Sequence, residues 1–463
     1  MTIFRTPVAL AFALQLAVLA GCAGAPPSQV AAPVPPAWQA PLPHNGSLTD
    51  LSQWWRQQGD PLLVRLIDAA QGASPTLAAA QARLAQSRAE RVAAGAALVP
   101  SVDGAASVNR TSQQSTLPSG TTAQAALQAS WEIDLFGGAR AARNAAEERL
   151  LGAQAGWHDA RVAVAAEVAN QYYSLRACEQ LLEVARQDAA SRADTARLTQ
   201  LSADAGFQAP ATAALARASA AEGRGRLTLQ RSLCDLDVKT LVELTAIDEA
   251  PLRAQLAASA PVPAPALTIA ALPAQVLSQR PDLYSAARDV AAASFDVGSA
   301  QAQRYPRLGL TGSIGVANFH SGGENTHLDT WTIGPLSLSV PLFDAGRRGA
   351  NVDAARARYE AAVVTYRAKA RQAVREVEQA LVNLNSSTGR SGDAQVALEG
   401  YQASFRATGD RYKNGMGSLL ELEDARRTLL AAQNNVVTLQ RERNSAWVAL
   451  YRAAGGGWTA AAQ

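Results

Sequence analysis

Apolar positions recur along this chain at two spacings, and the spacing changes in the same order twice. From Thr76 to Leu98, Arg83, Arg88 and Arg91 alternate with Ala and Leu at helical spacing, which predicts a helix. Asp282–Arg304 predicts a second. Segments of period two follow each. Arg307–Val316 sets Leu308, Leu310, Gly312, Ile314 and Val316 against small or polar neighbours, and Trp331–Phe343 does the same with Trp331, Ile333, Leu336, Leu338, Val340 and Leu342. Ser101–Arg110 and Ala123–Phe136 alternate likewise, with more alanine. Each segment runs about ten residues, the length of a tilted membrane-crossing strand. Taken alone, the two strand pairs also fit ordinary surface hairpins. The polar stretches between them, Thr111–Thr122 and Asn318–Thr330, suit loops at an outer surface.

Long helical stretches come next, about Arg140–Asp204 and Arg347–Arg411. Each is turned by a glycine, Gly206 or Gly415, into a returning helix that ends near Leu244 or Arg452. A helix of about 65 residues spans roughly 100 Å. That length calls for coiled-coil or helical-barrel packing. Ser386-Ser387-Thr388-Gly389 predicts a break in the second stretch.

The two halves share anchors at a nearly constant offset. Pro75 matches Pro281 and Pro100 matches Pro306 at 206; Leu135-Phe136 matches Leu342-Phe343, and Arg140 matches Arg347, at 207. Glu167-Val168 matches Glu376-Val377, and Gly206 matches Gly415, at 209. A period this long is not a solenoid. It predicts one duplicated unit: a first repeat over 51–250 (strands about 101–136, helical hairpin about 140–244) and a second over 276–455 (strands about 307–343, helical hairpin about 347–452). A linker at 251–275 joins them, and 456–463 form a tail.

The N-terminus changes the picture. Arg5 is the sole charge before an apolar run, Val8–Leu19, that is too short to span a bilayer and fits a signal-peptide core. Leu19-Ala20-Gly21-Cys22 resembles a bacterial lipobox, which implies removal of residues 1–21 and covalent lipid on Cys22; the competing reading is an ordinary signal peptide with an incidental cysteine. Ala23, not Asp, follows. Residues 22–50, rich in Pro and Ala, read as an extended tether. No other segment offers 18 uncharged apolar residues, so a bilayer crossing requires a closed β-barrel. Four strands leave two open edges. Three chains give 3 × 4 = 12 strands, an even number that closes. The fold class expected is therefore α+β: a trimeric 12-stranded barrel continuous with a long α-helical barrel.

Composition narrows the function. Formal charge is +3, or 3 − 1 = +2 without the signal, so no nucleic-acid partner is expected. No Ser/His/Asp, Cys/His, Walker or dinucleotide pattern occurs, so no enzyme activity and no cofactor beyond the lipid are expected. His320, Glu324 and His327 fall in an expected external loop and read as solvated, not as a metal site. With Cys22 consumed by lipid, Cys178 and Cys234 remain as an even pair, each 28 residues from Gly206. In a hairpin turning there they lie at one height, and a disulfide is expected in an oxidising compartment; the competing reading is two buried free thiols facing apart.

Trp54-Trp55, Asp60-Pro61, Gln279-Arg280-Pro281-Asp282-Leu283, Tyr305-Pro306, Pro341-Leu342-Phe343-Asp344-Ala345-Gly346-Arg347, Tyr412-Lys413-Asn414-Gly415, Leu419-Leu420-Glu421-Leu422, Leu450-Tyr451-Arg452-Ala453 and Gly455-Gly456-Gly457-Trp458 occur in the order and spacing of a known family. In these the chain resembles the TolC/OprM-type outer membrane factors, in their NodT-like lipoprotein branch. The resemblance implies a homotrimer in the bacterial outer membrane, with most of the chain in the periplasm. Its implied partners are outer membrane lipid, a periplasmic adaptor and an inner membrane RND-type transporter. The implied function is passive export of small molecules such as drugs. A type I protein secretion duct and a lipid-anchored coiled-coil scaffold are the alternatives.

Glu421 and Asp424, spaced i,i+3 after the second turn, share a helix face and would form stacked acidic rings in a trimer. Carboxylates at a helix start also simply complement its dipole. The resemblance implies a periplasmic gate at Glu421 and Asp424, with Tyr412 holding neighbouring helices closed. It implies adaptor contact at the turns of Gly206 and Gly415. Gly417 stands where the family pattern has an arginine.

Overall fold

The computed structural model describes residues 25–42, 54–57, 59–113, 117–259 and 273–459. Cys22 and the expected signal peptide lie outside them, as do 43–50, most of the expected linker and the last four residues. The chain forms two compact units, one built from residues up to Ala32, Ala82–Ala155 and Tyr284–Ala368, the other from Pro33–Gln81, Gly156–Leu283 and Lys369–Gln463.

Elements run α1 (Trp54–Gln57), α2 (Pro61–Ala73), α3 (Pro75–Ala96), β1 (Ser101–Gln113), β2 (Leu117–Ile133), α4 (Gly138–Asp204), α5 (Pro210–Thr245), α6 (Glu249–Ala258), α7 (Pro273–Leu277), α8 (Pro281–Ala302), β3 (Arg307–Ser321), β4 (Glu324–Ser339), α9 (Arg347–Lys413) and α10 (Leu419–Ala453). Among the described residues, no helix is long and apolar enough to cross a membrane.

In the first unit the strands form one antiparallel sheet in the order β1-β2-β3-β4. The strands are longer than the alternation predicts. Thr121 and Thr122 of the expected first loop pair with Arg110 and Asn109, and the expected second loop is strand up to a turn at Gly322-Gly323. Thr, Ser and Asn carry the same backbone N–H and C=O groups as Val, and these make the ladder here, so polarity misplaced the loops. The register divides the sheet into two faces. One carries Val102, Leu127, Ile314, Trp331, Ile333 and Leu338, each at least half exposed. The other is polar or small over most of its area. His320 and His327 stand on the first face and Glu324 on the second, so these three do not converge. His320 Nδ1 lies 2.8 Å from Asn325 Oδ1, and His327 Nε2 lies 3.5 Å from Asp329. Asp134 accepts the backbone N–H groups of Ala139 and Arg140 and so caps α4; Asp344 does the same for Gly346 and Arg348 at α9. In this unit Tyr359 donates to the Pro27 carbonyl at 2.9 Å.

The second unit holds the main apolar core. Asp60 N-caps α2, accepting from Leu62 N at 3.0 Å and Leu63 N at 3.1 Å, with Pro61 at the first helical position. Its second oxygen accepts from Tyr172 at 2.6 Å. Trp54 stacks on Tyr451 at 5.0 Å. These contacts give Trp54-Trp55 and Asp60-Pro61 a structural meaning. Arg280 ties its own motif to that of Ala453: it forks onto Asp282 at 2.9 and 2.8 Å, reaches Glu376 at 2.8 Å, and donates to the Ala453 carbonyl at 3.1 Å. The described part of the Pro/Ala stretch in this unit forms no helix or strand, but it is docked. Trp38 is buried, and the Gln39 and Ala40 N–H groups donate to the Glu378 carboxylate at 2.5 and 2.8 Å. The expected linker is helical at both ends, in α6 and α7.

The break expected at Ser386–Gly389 is absent: α9 is continuous over 67 residues. Ser387 donates back to the Leu384 carbonyl at 3.0 Å and Ser391 to that of Ser387 at 2.6 Å. Serines that bond within the helix do not interrupt it.

Candidate functional site

Two turns in the second unit are built alike. Gly206 follows α4 with φ +80°, and Gly415 follows α9 with φ +73°, a left-handed conformation that glycine adopts without steric penalty. Phe207 N–H donates to the Ser202 carbonyl at 2.8 Å, and Met416 N–H to that of Arg411 at 2.8 Å. These are the six-to-one bonds of a Schellman end. Both turns present an apolar side chain to solvent, Phe207 at 84% exposure and Met416 at 65%.

Glu421 and Asp424 are both more than half exposed. Glu421 belongs to a capping box: Ser418 Oγ accepts from Glu421 N–H at 3.2 Å, and Glu421 Oε2 accepts from Ser418 N–H at 3.4 Å. Asp424 pairs with Arg427 at 2.9 Å. Gly417 supplies no cation, but Arg411 stands at the same turn, 3.8 Å from Glu421 and donating to the Met416 carbonyl at 3.2 Å. Tyr412 and Thr199 oxygens are 2.7 Å apart. Thr199 spends its proton on the Thr195 carbonyl at 2.8 Å, so Tyr412 is the donor to Thr199. This bond joins the first helical hairpin to the second.

A larger link lies beside it. Glu423 accepts from Arg192 Nη1 at 2.6 Å, from Ser219 Oγ at 2.9 Å, and from Arg426. Arg192 also forks onto Asp188 at 3.0 and 2.9 Å. Arg426 donates to Ser191 at 3.1 Å and Thr195 at 2.9 Å, with its guanidinium 5.7 Å from the Phe405 ring centre. Arg192 and Arg426 are each 4% exposed. Two cations meet two anions, so the cluster is formally neutral. Burial pushes Arg426 below its ordinary value, and the Arg192 charge adds to this against the pull of Glu423. Gly223 makes the space: a β-carbon there would sit 2.8 Å from Arg192 Cδ. One cluster thus ties α4, α5 and α10 together.

Cys178 on α4 and Cys234 on α5 are bonded, with Cα atoms 5.5 Å apart.

An outer membrane efflux protein family model matches residues 66–246 and 272–456. The chain belongs to this family. The solvent efflux pump outer membrane protein SrpC of Pseudomonas putida is 32% identical over 462 residues, covering 96% of this chain and 97% of SrpC. The pyoverdine export outer membrane protein OpmQ of Pseudomonas aeruginosa is 30% identical over 460 residues, covering 95% of each. The solved outer membrane channel OprN superposes with a TM-score of 0.83 at 26% identity, covering 94% of this chain and all of that one. The efflux protein described here is thus an outer membrane exit component, and its paired helical hairpins are those of an efflux channel.

Sequence reasoning passed over the Glu423 cluster. Its traces in this efflux protein are Asp188 and Arg192 at i,i+4, Glu423 and Arg426 at i,i+3, and a glycine in mid-helix at Gly223. Each of the two pairs reads alone as solvated, and Arg192 and Glu423 lie 231 residues apart.

Proposed function

We propose that three copies of this chain form a passive duct for small apolar or amphipathic molecules, drugs and solvents among them, which the turns of Gly206 and Gly415 close at the periplasmic end. One observation carries the reading: a four-stranded sheet with one exposed apolar face and two edges, β1 and β4, that pair with no further strand among the described residues. Open edges are not tolerated in lipid, and three such sheets close a 12-stranded barrel. The apolar face then meets lipid and the polar face lines the lumen. Duplication of one ancestral unit is supported by paired lengths: α4 and α9 have 67 residues each, α3 and α8 have 22 each. The names of SrpC and OpmQ support small-molecule cargo.

In this reading Cys22 carries lipid, Phe207 and Met416 meet a periplasmic adaptor, and an inner membrane transporter of the RND type supplies the energy. Glu421 and Asp424 ring the entrance, while Tyr412 and the Glu423 cluster hold the hairpins together. Unheated gel electrophoresis and planar bilayer recording test the duct. A heat-modifiable trimer that forms discrete pores is the expected result; a monomer without pores returns the protein to the scaffold reading.

A further inference from the structure

We infer that Phe319 and Leu328 form an apolar collar at the outer mouth of the lumen, which hinders bulky polar solutes entering from outside and lets apolar, ring-bearing cargo pass. The inference rests on the trimeric barrel proposed above and adds a second restriction, at the end of the strands away from α4 and α9.

The register places Phe319 and Leu328 on the polar face of the sheet. Every other paired and described side chain on that face is Gly, Ala, Ser, Thr, Asn, Gln, Asp, Glu or Arg. Phe319 pairs with Thr326 and Leu328 with Ala317, so the two are diagonal neighbours near the Gly322-Gly323 turn, within reach of an aromatic ring. They are 39% and 50% exposed. The Phe319 ring leans over β2, where a β-carbon at Gly120 would lie 2.5 Å from it. Covering a strand glycine with a ring is also a plain folding device. That device accounts for Phe319 but not for Leu328. In a closed barrel three copies of each side chain face one axis at one level. Apolar constrictions of this kind exclude water and hydrated solutes, and a phenyl ring offers stacking to aromatic cargo.

The test uses the full-length protein in the outer membrane of intact cells. With Cys178 and Cys234 bonded, a thiol introduced by Ser313→Cys, on the polar face below the collar, reports access. Its labelling by a bulky charged maleimide added outside is compared between the native collar and Phe319→Ser with Leu328→Ser. Labelling several-fold faster in the opened collar, with an unchanged unheated trimer and similar labelling by a small maleimide, is expected. Equal rates with the bulky reagent overturn the collar. A rise that appears only with loss of the trimer also overturns it and leaves Phe319 as a folding device. If the double variant does not assemble, Leu328→Ser alone, which keeps the ring over Gly120, carries the same comparison. Ile314→Cys, on the opposite face, should stay unlabelled; if it labels while Ser313→Cys does not, the barrel reading fails and the collar with it.

Discussion

Changing Glu423 to Gln should part the two hairpins more often. Among the described residues, Glu423 is the one carboxylate that pairs with both Arg192 and Arg426, and neutralising it leaves two buried guanidiniums with Asp188 as their remaining anion. Removing one member of a buried ion pair costs about 3–5 kcal/mol. Here Arg192 keeps both bonds to Asp188, and Arg426 keeps Ser191 and Thr195, so the cost falls at the lower end, about 3 kcal/mol. That is roughly 100-fold in the equilibrium between joined and parted hairpins. The assay is single-channel recording in planar bilayers, with open fraction and conductance compared at equal trimer content. Replacing all four charged members, Asp188→Leu, Arg192→Met, Glu423→Leu and Arg426→Met, removes two charges of each sign and leaves no buried charge of the cluster without a partner. It should return the open fraction most of the way, because an apolar pair of similar volume is often no less stable than a buried ion pair. An intact Glu423→Gln trimer with native open fraction would refute the reasoning. A quadruple variant as open as the single one would refute it equally.

Further outcomes follow from other contacts. Cys178→Ser with Cys234→Ser releases a cross-link between residues 56 apart, worth about 4 kcal/mol in the chain-entropy account, and should lower the temperature at which the trimer dissociates; denatured, unreduced native protein should show no free thiol, and two would reject the bond. Exchanging Glu421 and Asp424 for Ala should weaken block of the pore by trivalent cations, and unchanged block would remove them from the entrance. Burial opposes ionisation of Asp282, but the forked Arg280 outweighs it and holds the carboxyl below its ordinary value. The unfolded chain therefore takes up this proton at higher pH than the folded one. The stability that Asp282 contributes is complete above the ordinary carboxylate value of 3.8 and is lost as pH falls through the folded value. Asp282→Asn should thus be less stable at neutral pH and flatter through the acid range, measured as trimer dissociation temperature against pH.

Alternation in Arg307–Val316 and the glycines at 206 and 415 were enough to place strands and turns, because each signal is local to its own backbone. Strand ends were not legible, since Thr121, Thr122 and the residues around His320 continue the ladder through backbone groups that side-chain polarity does not report. Continuity of α9 through Ser386–Gly389 was hidden for a related reason: the hydroxyl of Ser387 is satisfied inside the helix. The docking of residues 38–40 on Glu378 and the Glu423 cluster were beyond reach, because they join residues hundreds apart and no local spacing encodes the partner. What the sequence did carry there was negative: Gly223 in mid-helix, a costly choice unless something must approach closely.

The contrast between two contacts in the second unit explains why charge was used at the turns. The main core buries Trp54, Leu62, Leu66, Tyr172 and Leu241 almost completely. The small apolar cluster near the turns buries Ala196, Ala216, Ala220, Leu419 and Leu422, with Phe405 and Tyr412 at its edge. Three of its five buried members are alanines, which hide little apolar area, so it supplies little adhesion. The remaining grip comes from the neutral cluster of Asp188, Arg192, Glu423 and Arg426 and from the Tyr412–Thr199 bond. An apolar contact, once parted, leaves its surface in water at full cost. Charged groups regain their hydration when they separate, which offsets much of the attraction lost. A contact of this second kind specifies one arrangement of the hairpins and still comes apart without exposing sticky surface, which is the property the proposed duct needs at its periplasmic end.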